Sequence, residues 1–422
     1  MTPPPLLLGG AVVNLAIAMH ALAPLQVVVF RHPEDRDTEP YQAAIVRAYQ
    51  GGTEAGGYLA AGDDLGVQTR LFTTTPLLPS SQFLDAFCHT LVVVLVDRVL
   101  LEKGGDAMWD WLAACREAAD DSNGRHALLV NLMEERQMRE VINLRRGFEN
   151  LQMSAVYHYG EHAIRPAHFA LRTVHECRLL LARALPHTAV MGQPPGYLRL
   201  FISHTKEDGL PLAHSLKHMV ESSPWLKGFY DATDLPSGGN WQRDLERAAA
   251  SSLMVILRTE AYDGRPWCQN EVCWADEYAT PAVVVEARTG LNFRGATLPL
   301  ERLPMVRIPD GNLFRVLFLA LREGLRYLHF MRLVEGMKAA GELPQPMELR
   351  VFSSAPGMSA LLRAARSMSA AKPQPGIEYM ILYPDPPMRT GVYEAASALV
   401  ATHAPAGARL VTPNTLATLA IA

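Results

Sequence analysis

The residues best suited to chemistry lie in the heptapeptide Arg265-Pro266-Trp267-Cys268-Gln269-Asn270-Glu271. Pro266 favours the first position of a helix, where its fixed φ is suitable. In that helix Trp267, Glu271 and Trp274 are spaced i, i+4, i+7 and share one face. A carboxylate between two indoles on a half-buried face is costly unless it has a partner or a function. The spacing therefore marks Glu271 as a candidate functional residue, with a satisfied structural glutamate as the alternative.

The elements that must position this heptapeptide are those of an α/β fold. An apolar strand is predicted just before it, and a helix begins at about Pro266. Strands are predicted at 198–202, 228–230, 253–257, 282–286 and 304–308, and helices at 210–222, 240–250, 266–278 and 312–340. This alternation predicts a parallel sheet covered by helices on both faces. Five strands of this length favour a flavodoxin-like, doubly wound order.

Three segments are expected to reach the carboxyl edge of that sheet, where ligands bind in open α/β folds. One is the loop 203–209 after the first strand. The second is the glycine-rich segment 231–240 after the second strand, and the third is 262–271. The end of a strand, a glycine-rich loop and Glu271 should therefore converge on one place.

The whole chain consists of three α/β blocks: the first block (1–190), the second block (197–340) and the third block (347–422). In the first block, apolar runs typical of buried parallel strands occur at 25–30, 67–72, 91–96, 127–132 and 155–158, before a long helix at 166–185 and a linker at 186–196. In the third block, strands are predicted at 349–352, 379–383 and 408–411, and helices at 358–371 and 392–401. Because the third block is short, it is expected to pack against the rest of the chain.

The first and second blocks resemble each other in the polar loops that end their first strands. Phe30 is followed by Arg31-His32-Pro33-Glu34-Asp35, and Phe201-Ile202-Ser203-His204 by Thr205-Lys206-Glu207-Asp208. The later strands follow at similar spacings, which favours a tandem repeat of one fold. Convergence is the alternative, since any doubly wound domain ends its first strand in a polar loop.

Motifs of the second block occur in a recognisable order. They are Phe201-Ile202-Ser203-His204 with Asp208, then Phe229-Tyr230-Asp231 with Asp234-Leu235-Pro236-Ser237-Gly238, then Trp241 with Leu245 and Ala248 with Ser251, and finally Tyr262 with Trp267-Cys268 and Glu271. In order and spacing, residues 197–310 resemble a TIR domain. The last motif is the most specific, because many bacterial and plant TIR domains carry Trp-Cys-x-x-Glu. Pro266 departs from the small polar residue that often stands there, which should change only the entry into the helix.

The resemblance implies a flavodoxin-like sheet and, in the enzymatic members, a glutamate at the position of Glu271 that cleaves the nicotinamide–ribose bond of NAD⁺. It also implies that 231–240 is the BB loop, which gates the pocket and mediates self-association. The candidate substrate-binding residues are Phe201, Ser203, His204, Asp234, Gly238 and Trp267. The alternatives are core packing for Trp267, a capped loop residue for His204 and a turn cap for Asp234.

A single carboxylate is sufficient for this reaction. Cleavage of an N-glycosidic bond passes through an oxocarbenium-like state. Nicotinamide is already cationic in NAD⁺ and leaves as a neutral molecule, so no acid is needed. An ionised carboxylate beside the ribose, such as Glu271, stabilises the developing positive charge or holds the hydroxyls. NAD⁺ is the expected substrate and no further cofactor is implied.

The first block lacks the corresponding glutamate. Ala113 stands four residues after Trp109, and Cys115 stands four residues after Trp111. If this block is a degenerate TIR-like domain, it is predicted to be catalytically silent and to serve in assembly or sensing.

Composition argues against several other classes of protein. The chain has 422 residues with a net charge of −4, which does not indicate a nucleic-acid binder. Its five cysteines show no CxxC spacing, so neither a disulfide nor a metal site is predicted. Reduced thiols are typical of cytoplasmic proteins, and Cys268 and Cys273 are expected to be small and buried.

The first thirty residues carry no charged side chain, so a membrane segment has to be considered. The most apolar part, 6–22, contains Asn14 and His20, and no Lys or Arg precedes it. A secretory signal would have a basic segment there. A buried helix that leads into the strand 25–30 is the better interpretation, and no membrane association is expected.

Three classes of function remain open. The first is an NAD⁺ glycohydrolase, with a cyclic ADP-ribose isomer as a further product, in bacterial antiphage defence. Such an enzyme would need an off state, which oligomerisation, an activating partner or a small signal would control through the first and third blocks. The second is a non-catalytic TIR scaffold, which Glu271 argues against. The third is a nucleotide-signal sensor, for which the chain shows no phosphate-binding GxGxxG motif.

Overall fold

The computed structural model describes residues 24–51, 64–134, 137–149, 152–159, 162–185, 199–223, 226, 241–290, 299–309, 311–370 and 374–416. Backbone contacts divide the chain into two compact units. One comprises 1–185 and 332–342, and the other comprises 186–331 and 343–422. The third block therefore belongs to the same unit as the main part of the second block. The predicted linker at 186–196 lies outside the described residues.

The first block contains a five-stranded parallel sheet in the order β2-β1-β3-β4-β5. Its strands are β1 (Leu25–Phe30), β2 (Gln68–Phe72), β3 (His89–Val96), β4 (His126–Leu132) and β5 (Ser154–Ala155). Its helices are α1 (Glu39–Gln50), α2 (Ser80–Asp85), α3 (Arg98–Lys103), α4 (Gly105–Asp121), α5 (Gln137–Asn143) and α6 (Arg165–Ala184). This is the doubly wound, flavodoxin-like order.

Two strand predictions for the first block need correction. The run 67–72 does form β2, but that strand is largely exposed, with Leu71 at 43%. It has only β1 as a neighbour, and an edge strand is covered less than a central one. The predicted strand 155–158 is mostly a 3₁₀ turn, because β5 ends at Ala155.

The second block contributes a parallel sheet in the order β6-β7-β8-β9. Its strands are β6 (Leu200–Ser203), β7 (Leu253–Arg258), β8 (Ala282–Glu286) and β9 (Met305–Arg307). Its helices are α7 (Leu210–Glu221), α8 (Trp241–Ser251), α9 (Pro266–Glu277) and α10 (Leu313–Ala339). The predicted strand at 228–230 lies outside the described residues. β7 and β8 are buried almost throughout, as continuous apolar runs predict for a covered sheet.

The third block forms a three-stranded parallel sheet in the order β10-β11-β12. Its elements are β10 (Met347–Val351), α11 (Met358–Ala370), β11 (Glu378–Leu382), α12 (Thr390–His403) and β12 (Arg409–Val411). Every strand pair in the three described sheets is parallel, which confirms the predicted α/β class. The predicted N-terminal helix lies outside the described residues. Within the described part of the chain, no helix combines the length and apolar character that a membrane span requires.

Candidate functional site

Glu271 lies in the second turn of α9, on the buried side of that helix. Pro266 occupies the first helical position, as predicted, because its missing N–H costs nothing there. Arg265 before it is extended, with φ −100° and ψ 116°. Glu271 is 7% exposed and is followed by Val272, which belongs to the core of the second block. The carboxylate is therefore carried by a helix whose inner face is fixed by packing.

A hydroxyl at the end of β6 holds the carboxylate of Glu271. Ser203 is the last residue of this strand, and its Oγ donates to Glu271 Oε2 at 2.5 Å. The hydroxyl of Tyr262 lies 2.6 Å from Ser203 Oγ. Since the Ser203 hydroxyl donates its hydrogen bond to the carboxylate, its oxygen accepts the one from the Tyr262 hydroxyl. The result is a buried hydroxyl relay that orients Glu271, and a hydrogen bond to a charged acceptor is roughly twice as strong as a neutral one.

Burial controls the titration of the groups around Glu271. It raises the pKa of Tyr262 well above its usual range, and the negative charge of Glu271 raises it further. Burial also raises the pKa of the Cys268 thiol to about 12, again with a contribution from Glu271. Both groups are neutral at neutral pH. Tyr262 is therefore a donor, and Cys268 is the small buried thiol that the sequence predicts.

Phe201 on β6 and His204 directly after it, which are two further predicted binding residues, occupy different environments. Phe201 lies two residues before Ser203 on the same face of β6, and it is fully enclosed in the core. The predicted contact of its side chain with substrate does not agree with this position. His204 is half-buried, and its Nδ1 lies 3.1 Å from the carbonyl oxygen of Ile202. That geometry fits the alternative interpretation of His204 as a loop residue tied to the backbone.

The side chains of α9 differ in burial more than their predicted common face suggests. Trp267 is 41% exposed, so the core-packing alternative does not describe it. Trp274 packs partly buried against the core. Cys273 is exposed, and its predicted burial is wrong. Two residues beyond Glu271 on a helix, a side chain points to nearly the opposite face, which explains the exposure.

The loop between β7 and α9 is fastened to the loop after β6 by Asp208. This carboxylate accepts hydrogen bonds from Thr259 Oγ1 at 2.6 Å, Ala261 N at 3.0 Å and Thr205 Oγ1 at 2.7 Å. Burial alone would raise the pKa of Asp208, but these hydrogen bonds outweigh it and lower the pKa. Asp208 is thus an ionised carboxylate whose hydrogen bonds join the loop that follows Ser203 to the loop that leads to Tyr262.

Four charged side chains at the ends of β7 and β8 compensate one another. Arg258 Nη2 lies 2.6 Å from Asp263 Oδ2, and Arg288 Nε lies 2.6 Å from Glu286 Oε1. All four side chains are only 8 to 13% exposed. The backbone carbonyl of Asp263 accepts from Gln269 Nε2 of α9 at 2.6 Å. This cluster ties the start of α9 to the sheet.

Two predicted binding residues, Asp234 and Gly238, lie outside the described residues, as does the whole predicted loop 231–240. The roles of Tyr262 and Thr259 were missed, although each follows closely on the predicted strand 253–257. Among the described residues, no group of three or more His, Cys, Asp or Glu side chains is arranged to hold a metal ion.

Comparison with known proteins supports the resemblance. A family model described as TIR domain matches residues 200–289, a range that contains Ser203, Tyr262 and Glu271. No curated protein matches the chain. Among solved structures, a sugar binding protein from Salmonella typhimurium LT2 is similar at 10% identity over 74% of this chain and 92% of that chain, but the TM-score of 0.18 gives this likeness no weight. The TIR family includes NAD-hydrolysing and non-catalytic members. The chain therefore carries a TIR domain, matched at residues 200–289.

Proposed function

We propose that the TIR domain is an NAD⁺ glycohydrolase and that Glu271 is its catalytic carboxylate. The observation that carries this proposal is the bond between Ser203 and Glu271. An acid only 7% exposed is costly to keep in a fold without a function, and here it is oriented by a hydroxyl at the carboxyl end of a strand. That edge is where parallel sheets bind ligands.

The chemistry asks little else of the protein. When the nicotinamide–ribose bond breaks, positive charge develops on the ribose, and a fixed carboxylate stabilises that charge. Ser203 keeps one oxygen of Glu271 in place, and Tyr262 keeps Ser203 in place. Trp267, which is 41% exposed, is proposed to pack its indole against a ring of NAD⁺. Capture of the ribosyl cation by water gives ADP-ribose, and capture by a ring nitrogen of the same molecule gives a cyclic isomer.

The third block is proposed to control this site through the far end of α9. Arg302 donates to Asp276 Oδ1 at 2.5 Å and to the carbonyl of Ala355 at 2.6 Å. Glu277, the last residue of α9, forms an ion pair with Arg363 of α11. The side chains of Asp276 and Glu277 are 12% and 10% exposed, and Ser359 of the third block also donates to Asp276. Because Glu271 is on the same helix, any shift of this contact would be transmitted to the carboxylate.

In this proposal the protein acts in the cytoplasm as a regulated effector of antiphage defence. Self-association through the TIR domain, including the segment 231–240, is the proposed switch. An activating partner or a small signal acting on the first or third block is the proposed trigger. Neither a nucleic acid nor a membrane is a proposed partner.

A non-catalytic scaffold is the second candidate function, because TIR domains commonly self-associate and some have no activity. It shares the proposed oligomer but needs no carboxylate at position 271. A nucleotide-signal sensor remains the third candidate, and it would bind a nucleotide without cleaving it. Release of nicotinamide separates both alternatives from the enzyme.

The test is release of nicotinamide from NAD⁺ by the purified full-length chain, at high protein concentration and with a crowding agent to favour assembly. Glu271→Gln keeps the size of the side chain and is expected to lower the rate on the order of 100-fold or more. Cys273→Ala is the matched control, because Cys273 is exposed on the same helix. An equal rate in Glu271→Gln, or no release by wild type in any assembly condition, would reject the enzyme.

A further inference from the structure

Two buried aspartates lie at the carboxyl ends of adjacent strands in the first block. Asp97 directly follows β3, and Asp35 stands five residues after the end of β1. Each is 3% exposed. The chain passes from β1 to β2 on one side and then to β3 on the other, so this gap is where the strand order reverses. That reversal point is the usual ligand site of a doubly wound sheet.

The hydrogen bonds that cap a helix and a turn engage one oxygen atom of each carboxylate. Asp97 Oδ1 accepts from Leu100 N at 2.8 Å and caps α3. Asp35 Oδ1 accepts from Asp37 N at 2.9 Å and Thr38 N at 3.3 Å. Within the described residues, Asp35 Oδ2 and Thr38 Oγ1 are buried and have no hydrogen-bond partner. A buried polar atom without a partner is costly, and more so when it is charged.

The nearby cationic side chains are engaged elsewhere. The guanidinium of Arg31 donates to the backbone carbonyls of Asp35 and His32, not to the carboxylate. Lys103 pairs with Glu34 at the surface. In the described part of the chain, no ion pair reaches Asp35 or Asp97. Burial raises the pKa of Asp97, and the negative charge of Asp35 raises it further.

In the second block, the residues at the corresponding positions form a hydrogen bond with each other. Phe30 pairs in register with Val94 and Ser203 with Ile256, so the ends of the two strand pairs correspond. Asp208, like Asp35, stands five residues after its strand. The residue after the central strand is Thr259, and its hydroxyl donates to Asp208. The first block has the acceptor Asp97 where the second block has this donor.

We propose that a divalent cation of the Mg²⁺ class binds between Asp35 and Asp97 in the first block, with the Thr38 hydroxyl as a further oxygen ligand. A cation supplies the positive charge that two buried acceptors at adjacent strand ends lack. Mg²⁺ prefers oxygen ligands, is usually held by one or two carboxylates, and keeps several waters. A site with two carboxylates therefore suits Mg²⁺ better than a metal that needs three or four protein ligands. This site is independent of NAD⁺ cleavage.

The test is binding of Mn²⁺, as a spectroscopic substitute for Mg²⁺, to the full-length chain after treatment with EDTA. The electron paramagnetic resonance signal of free Mn²⁺ is expected to fall as one ion binds per chain, and to return when Mg²⁺ displaces that ion. Asp97→Asn keeps an acceptor for Leu100 N and is expected to weaken binding more than about 10-fold, since even outer-shell partners of metal ligands are worth 10- to 100-fold. Asp35→Asn is a second variant with the same expectation.

Asp37→Asn is the matched control, because Asp37 is exposed in the same loop. Retained Mn²⁺ binding in Asp37→Asn, with loss in a folded Asp97→Asn or Asp35→Asn, supports the site. No bound Mn²⁺ in the wild type overturns it. So does equal binding by both folded aspartate variants. If Asp97→Asn is more heat-stable than a wild type that binds no Mn²⁺, the pair shares a proton and the cation site is rejected.

Discussion

The first and second blocks end their first strands at the same point of the sheet with opposite chemistry. In the first block that residue is Phe30, whose ring lies 5.1 Å from the ring of Trp111 on α4 and 5.4 Å from that of Phe72. In the second block it is Ser203, whose hydroxyl binds Glu271 on α9. Aromatic packing encloses the last residue of β1, whereas the last residue of β6 is polar and binds a carboxylate. The difference shows that the first strand of a parallel sheet can end either in apolar packing or in a hydrogen bond to a buried carboxylate.

The contrast continues along the central strands. Val96 and Leu132 are the last paired residues of β3 and β4, and both are buried and apolar. The corresponding pair of β7 and β8 is Arg258 and Glu286. The charged pair binds the loop that leads into α9, which an apolar pair could not do. Polar groups at strand ends in the second block thus position Glu271, at the cost of desolvating four charges.

The largest effect is expected when the last residue of β6 is replaced by the residue type that ends β1, which is phenylalanine. Ser203→Phe removes the donor to Glu271 and places a bulky ring beside that carboxylate. Nicotinamide release is expected to fall on the order of 100-fold or more, as when a positioned catalytic donor is lost. The converse change Phe30→Ser should leave the rate unchanged but lower stability by about 3 kcal/mol. A normal rate in Ser203→Phe would show that the hydroxyl has no part in the reaction.

Much of this architecture was predictable because it depends on local patterns. Apolar runs predicted β1 and β8 to the residue, and Pro266 predicted the start of α9. The role of Tyr262 was not predictable in the same way, because its contact with Ser203 depends on the path of a loop over 59 positions of sequence separation. Cys273 was misjudged because an apolar residue type says little about the face of a helix on which it lies.

The next largest effect is expected at the charged pair. Among the described residues, Arg258→Val leaves Arg288 as the one remaining ion-pair partner of Asp263 and Glu286. The change should cost about 3 kcal/mol, since breaking a buried ion pair is typically that expensive. Adding Glu286→Leu, which copies the apolar pair of the first block, should recover part of the loss. Urea unfolding of the single and double variants measures this coupling. Simple additivity of the two changes would show that the pair is not a unit.

A smaller effect is expected from Thr259→Asp, which gives the second block the two facing acids of the first. The change removes a hydrogen bond to a charged group and adds a like charge, so a cost of about 2 kcal/mol is expected. Asp208→Asn in the same chain should restore a donor and recover most of the loss. The melting temperatures of the single and double variants measure this loss and its recovery. If the second change brings no recovery, the Thr259–Asp208 bond does not couple the two loops.

The smallest effect concerns the pH dependence of Asp208. Hydrogen bonds lower its pKa in the folded protein, so the stability that it contributes is present above the pKa of an unfolded aspartate, about 3.9. That contribution is lost as the pH falls through the lower, folded pKa, because protonation weakens the acceptor. The difference in melting temperature between wild type and Asp208→Asn should therefore shrink between pH 6 and pH 3. A difference that stays constant over this range would mean that Thr259 and Ala261 hold the loops without help from the charge of Asp208. The hydrogen bonds of Asp208 in the second block would then be no stronger than the capping hydrogen bonds of Asp35 in the first block.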